Sequence, residues 1–254
     1  MNLGLSGKTA VVTGAGHGIG LAVVRALTAE GVQVLGGTRT MSGELEAATP
    51  HVVLADLATP DGPATLIRHA LDRFGGVDLL VNNVGGGVKM ASGFLDTDDE
   101  TWQRAVELNL FSAVRATRAA LPSLIERRGA IVNIGSVNAR LPDPHLVHYS
   151  AAKAALAGLG KALAAEFGPR GVRVNTVSPG PVRTRIWTSP ALAESLGTTP
   201  EEFVAKVPEM MGLTTGRMVE AEEVAAMVVL LLSGAVPSAV GADFAIDAGM
   251  AKGL

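Results

Sequence analysis

The stretch TAVVTGAGHGIGLAVVRALTAEG, residues 9–31, reads as an apolar strand, a glycine turn and a helix in immediate succession. Its spaced glycines are Gly14, Gly18 and Gly20, and the pattern Gly-x-x-x-Gly-x-Gly differs from the commoner G-x-G-x-x-G fingerprint. A diphosphate reaches a helix N-terminus only where the backbone can approach it, and side chains at these positions would stand in the way. Taken alone, such a triplet also suits a plain strand–helix turn. With these flanks it predicts an anion cradle opening a helix over 18–30.

Outward from this unit the pattern repeats. Strands are expected at Thr9–Thr13, Val32–Gly36, His51–Leu54, Leu79–Asn82, Ala130–Ile134, Val172–Val177 and Phe244–Ile246, with helical stretches near 18–30, 62–74, 98–127, 149–167 and 220–233. Alternating strands and helices, with strands apolar throughout, call for an α/β fold: a parallel sheet buried by helices on both faces. Residues 1–254 are expected to form one domain. Thr97 and Glu100 have capping-box spacing at the start of the fourth helix, and Pro122 predicts a kink or break near its end. The segment 184–216, rich in Thr, Pro, Gly and Met, is the least regular and is expected to be a substrate lid.

The chain has 48% hydrophobic residues, no cysteine and a formal net charge of −3. Disulfides and thiolate metal sites are excluded, and a cytoplasmic location is expected. Charges are dispersed, which disfavours nucleic acid and membrane surfaces, and the apolar run 225–232 is too short to span a bilayer. No His/Asp/Glu spacing marks a catalytic metal.

The second strand ends in VLGGTRT, residues 34–40, with Thr38 and Arg39 and no carboxylate before Glu44. In dinucleotide folds an acid here binds the adenosine ribose, whereas Arg accommodates a 2′-phosphate. NADP(H) is therefore favoured, with His17 offering a further polar contact. NAD(H) stays compatible if Arg39 is only a surface charge. Tyr149, the only tyrosine, precedes Lys153 by one helical turn, so both side chains can emerge on one face. An ammonium beside a phenol favours the phenolate, and such a phenol can exchange a proton with a carbonyl or alcohol oxygen. Ser136 ends the strand AIVNIGS, residues 130–136, where a hydroxyl could hold that oxygen.

TGAGHGIG, NNVG, Asn109 in ELNLFSAVRAT, Ser136, YSAAK and NTVSPGPVRT occur in the order and spacing of the short-chain dehydrogenase/reductase family, which the chain resembles over nearly its whole length. The resemblance implies a seven-stranded, doubly wound Rossmann-type fold and hydride transfer between a nicotinamide cofactor and a small-molecule carbonyl or alcohol. It implies a tetrad of Asn109, Ser136, Tyr149 and Lys153, with Tyr149 the acid/base, Ser136 the substrate-oxygen ligand, Lys153 a charge and ribose ligand, and Asn109 the holder of a relay water. It carries cofactor contacts onto Gly14, Gly18, Ile19, Gly20, Asp56 and Leu57 in LADL, Asn83 and Gly85, and Pro179, Gly180, Val182 and Thr184. Val84 stands where the family has alanine, and Ala248 in FAIDAGM where it has glycine; that segment implies a homotetramer. Reductases of carrier-protein-bound 3-oxoacyl chains are similar, and Arg170 matches their docking base. Their second base is Ala130 here, leaving Arg127 and Arg128 as substitutes. Ile186, Trp187, Leu192, Phe203, Met210, Met211 and Leu213 in the lid suit either an apolar substrate or local packing; His145 and His148 either line the pocket or are partly exposed loop residues.

Overall fold

The computed structural model describes residues 2–86, 93–195 and 197–252; the side chains of residues 191, 192 and 195, and with them the expectation for Leu192, lie outside that set. β1 (Thr9–Thr13), β2 (Gln33–Thr38), β3 (Val52–Leu54), β4 (Leu79–Asn82), β5 (Ala130–Ile134), β6 (Arg173–Pro179) and β7 (Asp243–Ile246) form one sheet in the order β3-β2-β1-β4-β5-β6-β7. Every pairing is parallel, so the C-terminal ends of β1, β4, β5 and β6 share one edge. The order reverses between β1 and β4, the place where open α/β sheets leave a ligand crevice.

Alternation along the strands builds two cores. Ala10 and Val12 of β1 face α1 (Gly18–Ala29) and α9 (Ala221–Leu232), while Val11 faces α3 (Gly62–Phe74), α5 (Ser112–Glu126) and α6 (Val147–Phe167). Each fully buried valine contributes about 1.5–3 kcal/mol relative to an exposed one, which is why strands covered on both faces read as unbroken apolar runs.

The expected strands and helices are present, with ends displaced by up to two residues, except the fourth helix. It divides into α4 (Asp99–Val106), a π-helical turn over Glu107–Phe111, and α5. The break comes at this turn, not at Pro122, which sits inside α5; the buried face of Ala116, Ala120 and Leu124 outweighs the one hydrogen bond proline removes. Nor does Thr97 cap α4. Asp98 does, accepting from Thr101 N at 2.8 Å, while Thr97 Oγ1 donates to Gly93 O and Glu100 pairs with Arg104.

The short α2 (Gly43–Ala48) follows β2, capped by Ser42, whose hydroxyl accepts from Leu45 N. The segment 184–216 is also more regular than its composition suggests. It carries α7 (Pro190–Ser195) and α8 (Pro200–Met210), the latter opened by a capping box between Thr199 and Glu202. Trp187 stacks on Phe203 at 6.0 Å, and Phe203, Val207, Leu213 and Met218 form a small core of their own with Met211 against it; Ile186 and Met210 stay exposed. No helix among the described residues is long and apolar enough to cross a membrane.

Candidate active site

The glycine turn is held shut by close backbone packing. A Cβ on Gly20 would overlap the Gly14 carbonyl, one on Gly14 would lie 3.0 Å from Asn83 Nδ2, and one on Gly16 would lie 2.5 Å from Thr38 Oγ1. Gly18 has φ +53°, a left-handed conformation suited to glycine, and faces Thr184. Asn83 closes the turn from β4, its Nδ2 donating to the carbonyls of Thr13 and Gly14 at 3.0 Å each. Thr13 Oγ1 in turn accepts from the backbone of Asn83 and Val84. Val84 is accommodated by packing into the α3–α5 core layer. Gly16, Ser42 and Thr13 escaped the sequence reading, although Ser42 donates to Gly16 O at 3.2 Å and ties α2 to the turn. Only the serine-before-helix pattern at 42 could have signalled it.

Beside the turn, Thr38 is buried and bonds within its own loop, whereas Arg39 and His17 are exposed, their side chains meeting no partner among the described residues. Asp56 is exposed and caps its own turn through Ala58 N. Leu57 and Val182 are core side chains, so their backbones are what can face a ligand, whereas Ile19 in the first turn of α1 is half-buried. Gly180 N donates to Ile246 O, fixing the turn after Pro179 between β6 and β7.

At the same edge lie the four remaining polar residues. Asn109, fully buried in the π-helical turn, donates to Ala105 O at 3.0 Å and accepts from Gly86 N at 2.8 Å. A π-turn shifts backbone donors from the i−4 to the i−5 carbonyl, and the Asn109 side-chain amide bonds a carbonyl of the preceding turn. Lys153 is 2% exposed and donates to Ile134 O at 2.8 Å, its Nζ lying 5.8 Å from the centre of the Tyr149 ring. A Cβ on Gly85 would come 2.8 Å from that nitrogen and 3.0 Å from Asn109 Oδ1, so Gly85, Asn109 and Lys153 meet around one space. Ser136 hydrogen-bonds with Tyr149 and accepts from Asn138 N at 3.1 Å. The turn Val137–Ala139 that carries Ser136 is clamped by Arg140, which pairs with Asp243 of β7 at 2.9 Å, while Asp243 accepts from Ser178 of β6 at 2.7 Å.

Burial lowers the Lys153 pKa to about 8. Burial also raises the Tyr149 phenol above its ordinary value, with the Ser136 hydrogen bond pulling the other way. This differs from the expectation that the ammonium makes the phenol acidic: desolvation is the larger influence on Tyr149, and Lys153 is directed at the Ile134 carbonyl. His148 is likewise neither pocket lining nor loop. It is buried in the first turn of α6, edge-on to Trp102 of α4 at 6.1 Å, its ring nitrogens without hydrogen-bond partners among the described residues. His145 is exposed in the turn Pro144–Leu146. Arg127 donates to Gly75 O at 3.0 Å and pairs with Asp78 at 3.5 Å. No group of His, Asp and Glu among the described residues is arranged to hold a metal.

The fit to a dinucleotide rests on this chain's own atoms. An ammonium has three donors, and Lys153 spends one on Ile134 O; its other donors, the glycine cradle and the exposed guanidinium of Arg39 match a ribose diol, a diphosphate and a further phosphate.

Residues 14–251 match the family model described as Enoyl-(Acyl carrier protein) reductase. The 2,3-dihydroxy-2,3-dihydro-p-cumate dehydrogenase of Pseudomonas putida is 37% identical over 243 residues, 89% of this chain and 87% of that protein. The NADPH carbonyl reductase 2 of Sus scrofa is 37% identical over 257 residues, 98% of each. The structure of L-sorbose reductase from Gluconobacter frateurii, complexed with NADPH and L-sorbose, matches with a TM-score of 0.93 and 32% identity over 100% of both chains. On the family model and on relatives matched along nearly their whole length, the chain belongs to the short-chain dehydrogenase/reductase family, oxidoreductases of alcohol and carbonyl groups.

Proposed function

We propose that the protein is an NADPH-preferring reductase of ketones, running in reverse on secondary alcohols, with Asn109, Ser136, Tyr149 and Lys153 as its catalytic set. The observation that carries this reading is the convergence of a buried cation, a phenol and a serine hydroxyl at the strand edge next to the glycine turn. When bound, the nicotinamide supplies the hydride that reaches the carbonyl carbon. Ser136 holds the carbonyl oxygen, and Tyr149 gives it the proton as the C=O π bond opens. Lys153 uses its free donors to hold the nicotinamide ribose and returns a proton toward Tyr149. Asn109 fixes the space through which that proton is replaced. The segment 184–216 covers the substrate as a lid, residues 1–254 act as one cofactor-binding and catalytic unit, and the assembly is a cytoplasmic homotetramer. The named relatives that act on a dihydrodiol, on L-sorbose and with NADPH support the substrate and cofactor classes. Carrier-protein docking is the weaker alternative, because Arg127 is already committed to Asp78 and Gly75.

Cofactor choice is placed on Arg39. Arg39→Asp should lower kcat/KM for NADPH by about 10²-fold, the order expected for losing a charged hydrogen-bonding group, while NADH use holds or improves. Steady-state rates with both cofactors check this; equal effects on the two would make Arg39 a surface charge and favour NAD(H).

A pH test follows from Lys153. Its folded pKa lies below the ordinary lysine value, so the cation persists below about pH 8 and is lost above it. Reduction needs the protonated pair, and kcat/KM for a ketone should fall as pH rises through about 8, with oxidation rising over the same range. A reduction profile flat to well above that pH would contradict the assignment.

A further inference from the structure

We propose that Asn138 is a specificity-determining residue: it binds a hydroxyl on the carbon adjacent to the reacting one, so the preferred substrates are vicinal hydroxy ketones and the matching diols. This rests on the reading that Ser136 and Tyr149 hold the reacting oxygen. Asn138 lies two residues beyond Ser136 on the same short turn, and its Oδ1 stands 3.5 Å from Ser136 Oγ. That separation is long for a hydroxyl donor, so the contact leaves the amide oxygen available. No protein group bonds the amide Nδ2 among the described residues, and the side chain is only partly buried. One side chain therefore offers both an acceptor and two donors beside the proposed position of the substrate oxygen.

Oxygens on neighbouring carbons lie about one hydrogen-bond length apart, close to the spacing between Ser136 Oγ and the Asn138 amide. The amide is also preorganised. Its backbone N–H is bonded to Ser136 Oγ at 3.1 Å, the turn closes through Ala139 N to Ser136 O at 3.0 Å, and Arg140 fastens the next residue to Asp243. A ketone without the second oxygen would strip water from this amide and return no hydrogen bond, which is the basis of discrimination by a polar site. The reaction balances as hydroxy ketone plus NADPH plus a proton giving diol plus NADP⁺.

The test compares 2-hydroxycyclohexanone with cyclohexanone, and with 2-methylcyclohexanone to control for bulk, as NADPH-dependent substrates of the wild type, Asn138→Ala and Asn138→Leu. The wild type is expected to favour the hydroxy ketone in kcat/KM by about tenfold, mainly through KM, and both variants should bring that ratio close to one. Leucine keeps the volume while removing donor and acceptor, so a lost ratio there reports chemistry and not packing. A ratio near one in the wild type, a ratio retained in both variants, or a proportionate fall on all three ketones would overturn the proposal. Absence of wild-type turnover on every ketone would instead overturn the catalytic reading beneath it, a result distinct from turnover without discrimination.

Discussion

Tyr149→Phe is expected to lower kcat/KM for ketone reduction by about 10²–10⁴-fold, the usual contribution of a positioned acid, while NADPH binding stays near that of the wild type. The phenyl ring keeps the packing of the first turn of α6, and only the hydroxyl that bonds Ser136 is lost. Lys153 remains held by Ile134 O, so the proposed ribose contact survives. Steady-state kinetics alongside a fluorescence titration of NADPH separate the two effects. Equal losses in both would make the hydroxyl a structural group.

Gly20→Ala should be the most damaging single change in the glycine turn. Its methyl would overlap the Gly14 carbonyl, a backbone atom, and crowd Asn83 Nδ2, so no side-chain rotation relieves it. Overpacking of this kind costs about 1–3 kcal/mol, and the displaced turn should also weaken NADPH binding by more than about tenfold. Thermal unfolding and titration measure the two. A variant with wild-type Tm and affinity would show that the turn is far looser than its packing indicates.

The sheet was legible because strands buried on both faces leave unbroken apolar runs, and those runs alternate with long helical ones. What local pattern could not show was set by tertiary contacts. The break before α5 follows from Asn109 reaching back to Ala105 O and across to Gly86, partners separated by 4 and 23 residues. α8 escaped because its proline and methionine content masked the Thr199–Glu202 capping box. In the site, Tyr149, Lys153, Ser136 and the glycines stood out as types at characteristic spacings, whereas Ser42 and the Arg140–Asp243 clamp join residues far apart in the chain. The electrostatics were the least legible part. A lysine one turn from a tyrosine suggests an acidified phenol, but burial of both groups acts on each pKa more strongly than their mutual charge does, and only the packed structure shows that balance.

The most direct test is a single turnover of enzyme preloaded with NADPH dideuterated at nicotinamide C4 and mixed with a ketone. The account predicts that the wild type delivers one deuterium to the carbinol carbon within a turnover, and that Tyr149→Phe, equally loaded with cofactor, forms almost no labelled alcohol in that time. Alcohol without label at that carbon, or labelled alcohol formed at the wild-type rate by the phenylalanine variant, would contradict it.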